Sequence, residues 1–351
     1  MPPIETPAGP LLRPPPLEPG DTVGIFTPSA PAHVRFREKY LHGLGQLRSL
    51  GFGVREGALT ARAADQGYRS GTPRERAEEL MALVLDPEVR GIVATIGGMN
   101  SSSLLPFLDF DAIRAHPKVI CGYSDVTALH LAILARAGVS TFYGPAVVPS
   151  FGEWPEVLPE TRDAFLDAVQ RHRAGARELA PPPRWSAHFR DASTDAWRSI
   201  PREYRANGGW TVLRSGRTTA PLLAANLNTL LAAAGTTDFP DLRGRILLVE
   251  EMDAPWELQE RSFRQLRATE ALDGLAGLIV GKPESPDPQG APFGYGELIL
   301  EAVGEPACPV VLDFDCGHTH PMLTLAQLVT VTLDATAPRA RIRIDEPMVA
   351  T

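Results

Sequence analysis

From Gly20 onward the chain alternates short apolar runs with helix-length amphipathic segments, and this alternation constrains the fold more than any other feature. "DTVGIFTPSA" is followed by "REKYLHGLGQLRSLG", "RERAEELMALVLDP", "RGIVATIGG", "KVICGYSD" and "DVTALHLAILARAG". Strand-length apolar runs bounded by glycine and separated by helical segments predict parallel strands joined by crossover helices, an α/β fold. In such a sheet the ligand crevice lies beyond the carboxyl ends of the strands, where "TPSA", "GGMN" and "GYSD" fall. The rhythm resumes after residue 216 in "RILLVEEM", "ELQERSFRQLRATEAL", "LAGLIVGK", "YGELILEAVGE" and "CPVVLDFDCGHTHPM". The expected architecture is an N-terminal parallel-sheet α/β domain over 20–150 and a smaller C-terminal α/β domain over 217–351.

Two segments break the pattern. Residues 1–19 are rich in proline and read as a loose extended arm. In 151–216 a helix within "PETRDAFLDAVQRHRAG" precedes a long aperiodic stretch that carries Trp185, Trp197 and Trp210. A structureless stretch of that length points to function or disorder, and its tryptophans argue against disorder.

Composition narrows the partners. A net charge of −8 with no basic run excludes a nucleic-acid polymer. The first residues lack the basic and apolar regions of a secretory signal, and Arg136 and Asn226 interrupt the two longest apolar stretches, so no membrane span is expected. Three cysteines without scaffold spacing fit reduced thiols, and a cytoplasmic protein follows.

The chemistry centres on "CGYSDVTALH", residues 121–130. Ser124 occupies a sharp strand-to-helix turn, where it either caps the helix or is exposed as a nucleophile. For the second role the N–H of Asp125 would face a developing oxyanion. Only half of a G-x-S-x-G elbow is present, because Val126 stands in the second glycine's place. A base would come from His318 or His320, which follow an apolar strand, the other histidines reading mostly as surface residues. Glu250 and Glu251 end another apolar strand and could orient that base. Gly97 and Gly98 end the strand before Ser124's own and could bring a second oxyanion N–H, or form an ordinary turn. Asp313, Asp315, Cys316, His318 and His320 suggest zinc, but no second ligand-rich segment closes a tetrahedral site.

Taken in order, "ATIGGMNSSSLLPFLDF", "HPKVICGYSDVTAL", "STFYGPAV", "RILLVEE", "ERSFRQL", "GLIVGK" and "DFDCGHTHPM" resemble the LD-carboxypeptidase family of serine peptidases over about Gly20 to Ala335. "DFDCGHTHPM" and the insertion ending in "NGGW" are similar to its microcin C immunity branch, MccF. The resemblance implies Ser124 as nucleophile, Glu250 as acid and His318 as base, with the site straddling the domain interface. It implies oxyanion donors at Asp125 and Gly98, substrate contacts from Gly97 and Asn100, and no metal or cofactor. It further implies a homodimer acting on a small peptide or peptidyl-nucleotide, with Trp197, or else Trp185, stacked on a nucleobase. The alternative substrate is the terminal D-alanine of a murein tetrapeptide. "LLAANLNTL" departs from the family's glycines with Ala224 and Ala225, which would narrow the cleft.

Overall fold

The computed structural model describes residues 4–173, 175–252, 255–284, 287–304 and 306–351. Two sheets organise it. The first has six strands in the order Leu325–Ala326, Phe142–Tyr143, Val119–Gly122, Val89–Ala94, Thr22–Phe26, Gly53–Glu56. All its pairings are parallel except at the edge, where Leu325–Ala326, from the C-terminal half, runs antiparallel to Phe142–Tyr143. The crossover helices start where the sequence places start signals. In Pro73–Leu85, Thr72 and Glu75 form a reciprocal capping box with proline in the first turn.

The second sheet has eight strands, in the order Thr211–Arg214, Val310–Phe314, Gly277–Gly281, Ile246–Glu250, Gly216–Asn226, Val329–Ala335, Arg341–Ile344, Arg177–Leu179. The four strands from Val310–Phe314 to Gly216–Asn226 run parallel, and antiparallel strands flank them. The second unit therefore carries the wider sheet. The reason is that 151–216 is not a structureless connection: Arg177–Leu179 and Thr211–Arg214 pair into opposite edges of that sheet.

The helix Thr127–Ala137 buries nine of its eleven residues. Leu129, Ile133 and Ala137 pack on the first sheet's core, whereas Leu131 and Leu134 pack among the second unit's side chains. Burial on both sides explains why "LHLAILARAGV" is apolar all round; among the described residues no helix is long and apolar enough to cross a membrane. Arg136, the one charge interrupting that run, donates from Nε to Asp238 at 2.6 Å across the units.

The described part of the proline-rich arm, residues 4–19, is docked rather than loose. Leu17 is fully buried, its N–H donates to Val169 O at 2.8 Å, Leu12 bridges to Val139, and Arg13 pairs with Glu346. Proline's fixed φ lowers the entropy lost on ordering such a segment, so a few anchors suffice.

Candidate active site

The parallel strands of the two sheets meet at their carboxyl ends, where Tyr143 bonds Glu250 and Asn226 bonds Thr127. Ser124 follows the strand Val119–Gly122 and has φ +62°, a left-handed conformation uncommon for a residue with a side chain. A one-turn 3₁₀ segment, Ser124–Val126, then leads into the helix Thr127–Ala137. That helix carries no side-chain cap, so Ser124 does not serve as one. His130 fixes the turn from behind. Its Nε2 lies 3.0 Å from Gly122 O and its Nδ1 2.8 Å from Thr141 Oγ1. The carbonyl requires a donor, so Nε2 carries the proton and Nδ1 accepts; burial lowers the imidazole to about 4 and keeps it neutral. His130 and His33 are fully buried, contrary to the surface placement expected of most histidines.

Glu250 ends the strand Ile246–Glu250 and is 2% exposed. Its Oε2 lies 2.6 Å from His318 Nδ1, and its Oε1 accepts from Tyr143 Oη at 2.5 Å and from Asn226 Nδ2 at 3.2 Å. Burial alone would raise the carboxyl, but His318 and these donors outweigh it and hold Glu250 below its ordinary value. Burial alone would likewise lower His318; the Glu250 carboxylate outweighs it and raises the imidazole. Gly317, at φ +100°, makes this approach possible, since a Cβ there would stand 2.2 Å from Glu250 Oε2.

Tyr143 joins the two halves, accepting the Ser124 N–H at 3.3 Å while donating to Glu250. The Tyr123 ring meets His318 edge-on at 4.9 Å. Among the described hydrogen bonds none links Ser124 to His318, a looseness common in unliganded sites. Asn226 N–H donates to Thr127 Oγ1 at 2.9 Å, tying the second sheet to the start of the serine's helix.

The glycine loop lies against this turn. A Cβ on Gly97 would stand 3.1 Å from both Ser124 Oγ and Asp125 N, so a side chain there would crowd the nucleophile. Gly98, at φ +150°, backs onto Ser29 instead. Neither the Asp125 N–H nor the Gly98 N–H is used in the described hydrogen bonds. The Asp125 carboxylate does not cap its own helix. Its Oδ2 accepts from Asn100 N at 2.8 Å, Ser101 N at 2.9 Å and Ser101 Oγ at 2.7 Å, latching the glycine loop to the serine turn.

Family models match this architecture. The model of the LD-carboxypeptidase N-terminal domain covers residues 23–144, and that of the C-terminal domain covers 219–333. The chain belongs to the LD-carboxypeptidase family. It is a serine-type peptidase of that family. The chain is 39% identical over 326 residues to the microcin C7 self-immunity protein MccF of Escherichia coli, covering 93% of each. It is 38% identical over 318 residues to a putative carboxypeptidase of Vibrio cholerae, covering 90% of this chain and 92% of the other. The solved structure of MccF with glutamyl sulfamoyl guanosine superposes with a TM-score of 0.91 at 38% identity, over 97% of this chain and 100% of that one. MccF has also been solved with aspartyl sulfamoyl adenosine. An active-site mutant of MccF changes to alanine a serine, an asparagine 102 positions on, and a lysine 27 positions beyond that.

Two of the residues expected to contact substrate, Trp197 and Asn100, are engaged with other side chains in this structure. Trp197 is 3% exposed, wedged against Trp154 at 5.9 Å and His42 at 5.8 Å, so its faces anchor the insertion and offer no stacking surface. Arg190 and Arg202 clamp the same insertion onto Glu153. The Asn100 carboxamide oxygen accepts from Arg76 Nη1 at 2.6 Å. Trp185 sits at the rim: Lys282 Nζ lies 5.7 Å from its ring centroid, and the next residue, Ser186, pairs with His320. The zinc arrangement does not assemble either. Asp315 pairs with Lys282 at 2.6 Å, His318 binds Glu250, and among the described residues no group of three potential ligands converges. His320 lies among Arg202, Lys39 and Arg190, and burial with those cations holds it well below its ordinary value.

Sequence reasoning missed Tyr143, Asn226 and Tyr123. Each sits at a strand end in a block quoted above, and strand-end polar residues at the ligand rim were the available signal.

Proposed function

We propose that this chain hydrolyses the amide bond of an aminoacyl- or peptidyl-nucleotide through a Ser124–His318–Glu250 triad, in a detoxifying or self-protecting role. The observation that carries the triad is the pairing of His318 Nδ1 with the buried Glu250 carboxylate beside a serine held at positive φ. With Nδ1–H donated to Glu250, the Nε2 lone pair is left to take the Ser124 proton. Ser124 Oγ then attacks the carbonyl, forming a tetrahedral oxyanion that the N–H groups of Asp125 and Gly98 are free to receive. Collapse of that species breaks the C–N bond, His318 returns its proton to the leaving nitrogen, and water releases the acyl group by the reverse sequence. Glu250 stays ionised and stabilises the imidazolium formed in both steps.

The substrate reading is supported by the relatives solved with aminoacyl sulfamoyl nucleosides. To Trp185 we assign the stacking on a base, a contact worth roughly 1–3 kcal/mol. The serine and asparagine of the MccF active-site mutant have the same separation as Ser124 and Asn226, so we place Asn226 beside the aminoacyl group. The test is hydrolysis of an aminoacyl sulfamoyl adenosine beside an L,D-linked murein tetrapeptide, with wild type and Ser124→Ala. Cleavage of the nucleoside by wild type alone is expected. Cleavage of the murein peptide alone would overturn the substrate; undiminished activity in Ser124→Ala would overturn the triad.

A further inference from the structure

Resting on that reading, we propose that the aminoacyl pocket of this chain favours neutral or basic aminoacyl groups and disfavours aspartyl and glutamyl ones. In MccF, whose solved complexes carry aspartyl and glutamyl groups, the active-site mutant replaces a lysine 27 positions past the asparagine. The same interval from Asn226 ends at position 253, an aspartate, and the surrounding "EMDA" of residues 251–254 holds two carboxylates and no lysine; residues 253 and 254 lie outside the described ones. No lysine occurs anywhere between residues 227 and 281. The next one, Lys282, cannot substitute, because it is 3% exposed and closed on Asp315 at 2.6 Å.

The asparagine is committed as well. Its Nδ2 points at Glu250 Oε1 at 3.2 Å and Glu251 Oε1 at 3.1 Å, and its Oδ1 accepts from Thr229 N at 3.1 Å and Thr229 Oγ1 at 3.0 Å. Glu251 is held in place by the N–H groups of Asn228, at 2.9 Å, and Met252, at 3.0 Å. A substrate carboxylate brought to Asn226 would displace its bond to Glu251 and face two fixed carboxylates with no lysine from residues 227–281 to offset them. A methyl group meets no such penalty, and an ammonium group is attracted.

The test compares kcat/KM of the wild-type protein on aspartyl, glutamyl, alanyl and lysyl sulfamoyl adenosine. The alanyl and lysyl compounds are expected to exceed the aspartyl one by at least about tenfold. In Glu251→Gln the aspartyl value should rise and the gap should narrow. A wild-type preference for aspartyl or glutamyl compounds overturns the inference while leaving the nucleotide reading intact. Cleavage of none of the four, with the murein tetrapeptide cleaved, overturns that reading and this inference with it.

Discussion

Asp125→Ala should separate the latch on the glycine loop from the chemistry, because it leaves the Asp125 N–H in place. Three donors converge on one oxygen of a carboxylate that is 4% exposed, at 2.7, 2.8 and 2.9 Å. Each buried donor left unpaired costs about 1–3 kcal/mol, and because Asn100 is only half-buried, relaxation toward water should bring the total to about 3–5 kcal/mol. With an unfolding entropy of roughly 2.1 cal/mol/K per residue, a loss near 4 kcal/mol lowers Tm by about 5 °C. Catalysis should fall further than stability alone explains, since a shift of about 1 Å in a positioned group costs roughly 10²-fold. Asp125→Asn can set its carboxamide oxygen at the same point and lose only the charge assistance, about 1–2 kcal/mol in all. Scanning fluorimetry and kcat/KM on both variants decide the matter. The latch is refuted if Asp125→Ala stays within about 1 °C and about twofold of wild type, or if Asn is as damaging as Ala.

Other predictions follow from the same geometry. The acid limb of kcat/KM should have its midpoint above the usual histidine value of about 6.5, because His318 is raised and must be neutral to act; in Glu250→Gln burial loses its main opponent and the midpoint should drop. The stability advantage of wild type over Glu250→Gln should be widest between about pH 4.5 and 6.5. It is lost as pH falls through the lowered Glu250 value and as pH rises through the raised His318 value. Gly317→Ala should give folded protein with kcat reduced by about 10³–10⁴-fold, because the new Cβ overlaps the Glu250 carboxylate; retention of more than about a tenth of the activity would contradict the packing. Trp197→Ala should cost about 3–5 kcal/mol and open residues 186–206 to limited proteolysis, with no new cleavage counting against its anchoring role.

The fold was legible where one physical rule decides it. Parallel strands buried on both faces read as apolar runs, and capping signals such as Thr72 with Glu75 announce the helices between them. The rule fails where pairing is long-range. Arg177–Leu179 and Thr211–Arg214 are short edge strands whose partners lie about 100 residues or more away, so no local period marks them. Leu325–Ala326 crosses from one half of the sequence to the other half's sheet, and nothing within two residues could announce that. The docked arm was hidden for a related reason: proline content reports backbone stiffness but says nothing of what Leu17 packs against.

The site divides along the same line. Ser124, Glu250 and His318 stand at the carboxyl ends of three separate strands, a position that topology alone marks as the ligand rim. What sequence could not supply is the polar mortar between the rims. Tyr143 and Asn226 have ordinary identities at ordinary positions; their importance arises because Glu250 is buried with its charge and needs every lone pair satisfied. Desolvation works to raise a buried carboxylate, and a protonated acid would not favour the imidazolium; His318 is the largest opposing influence, and Tyr143 and Asn226 add to it. The two added donors favour the ionised form of Glu250 further, and they come from opposite units, Tyr143 from the first sheet and Asn226 from the second. The hydrogen bonding of Glu250 is therefore complete only while the two units are closed on each other, which makes the interface part of the proposed catalytic machinery.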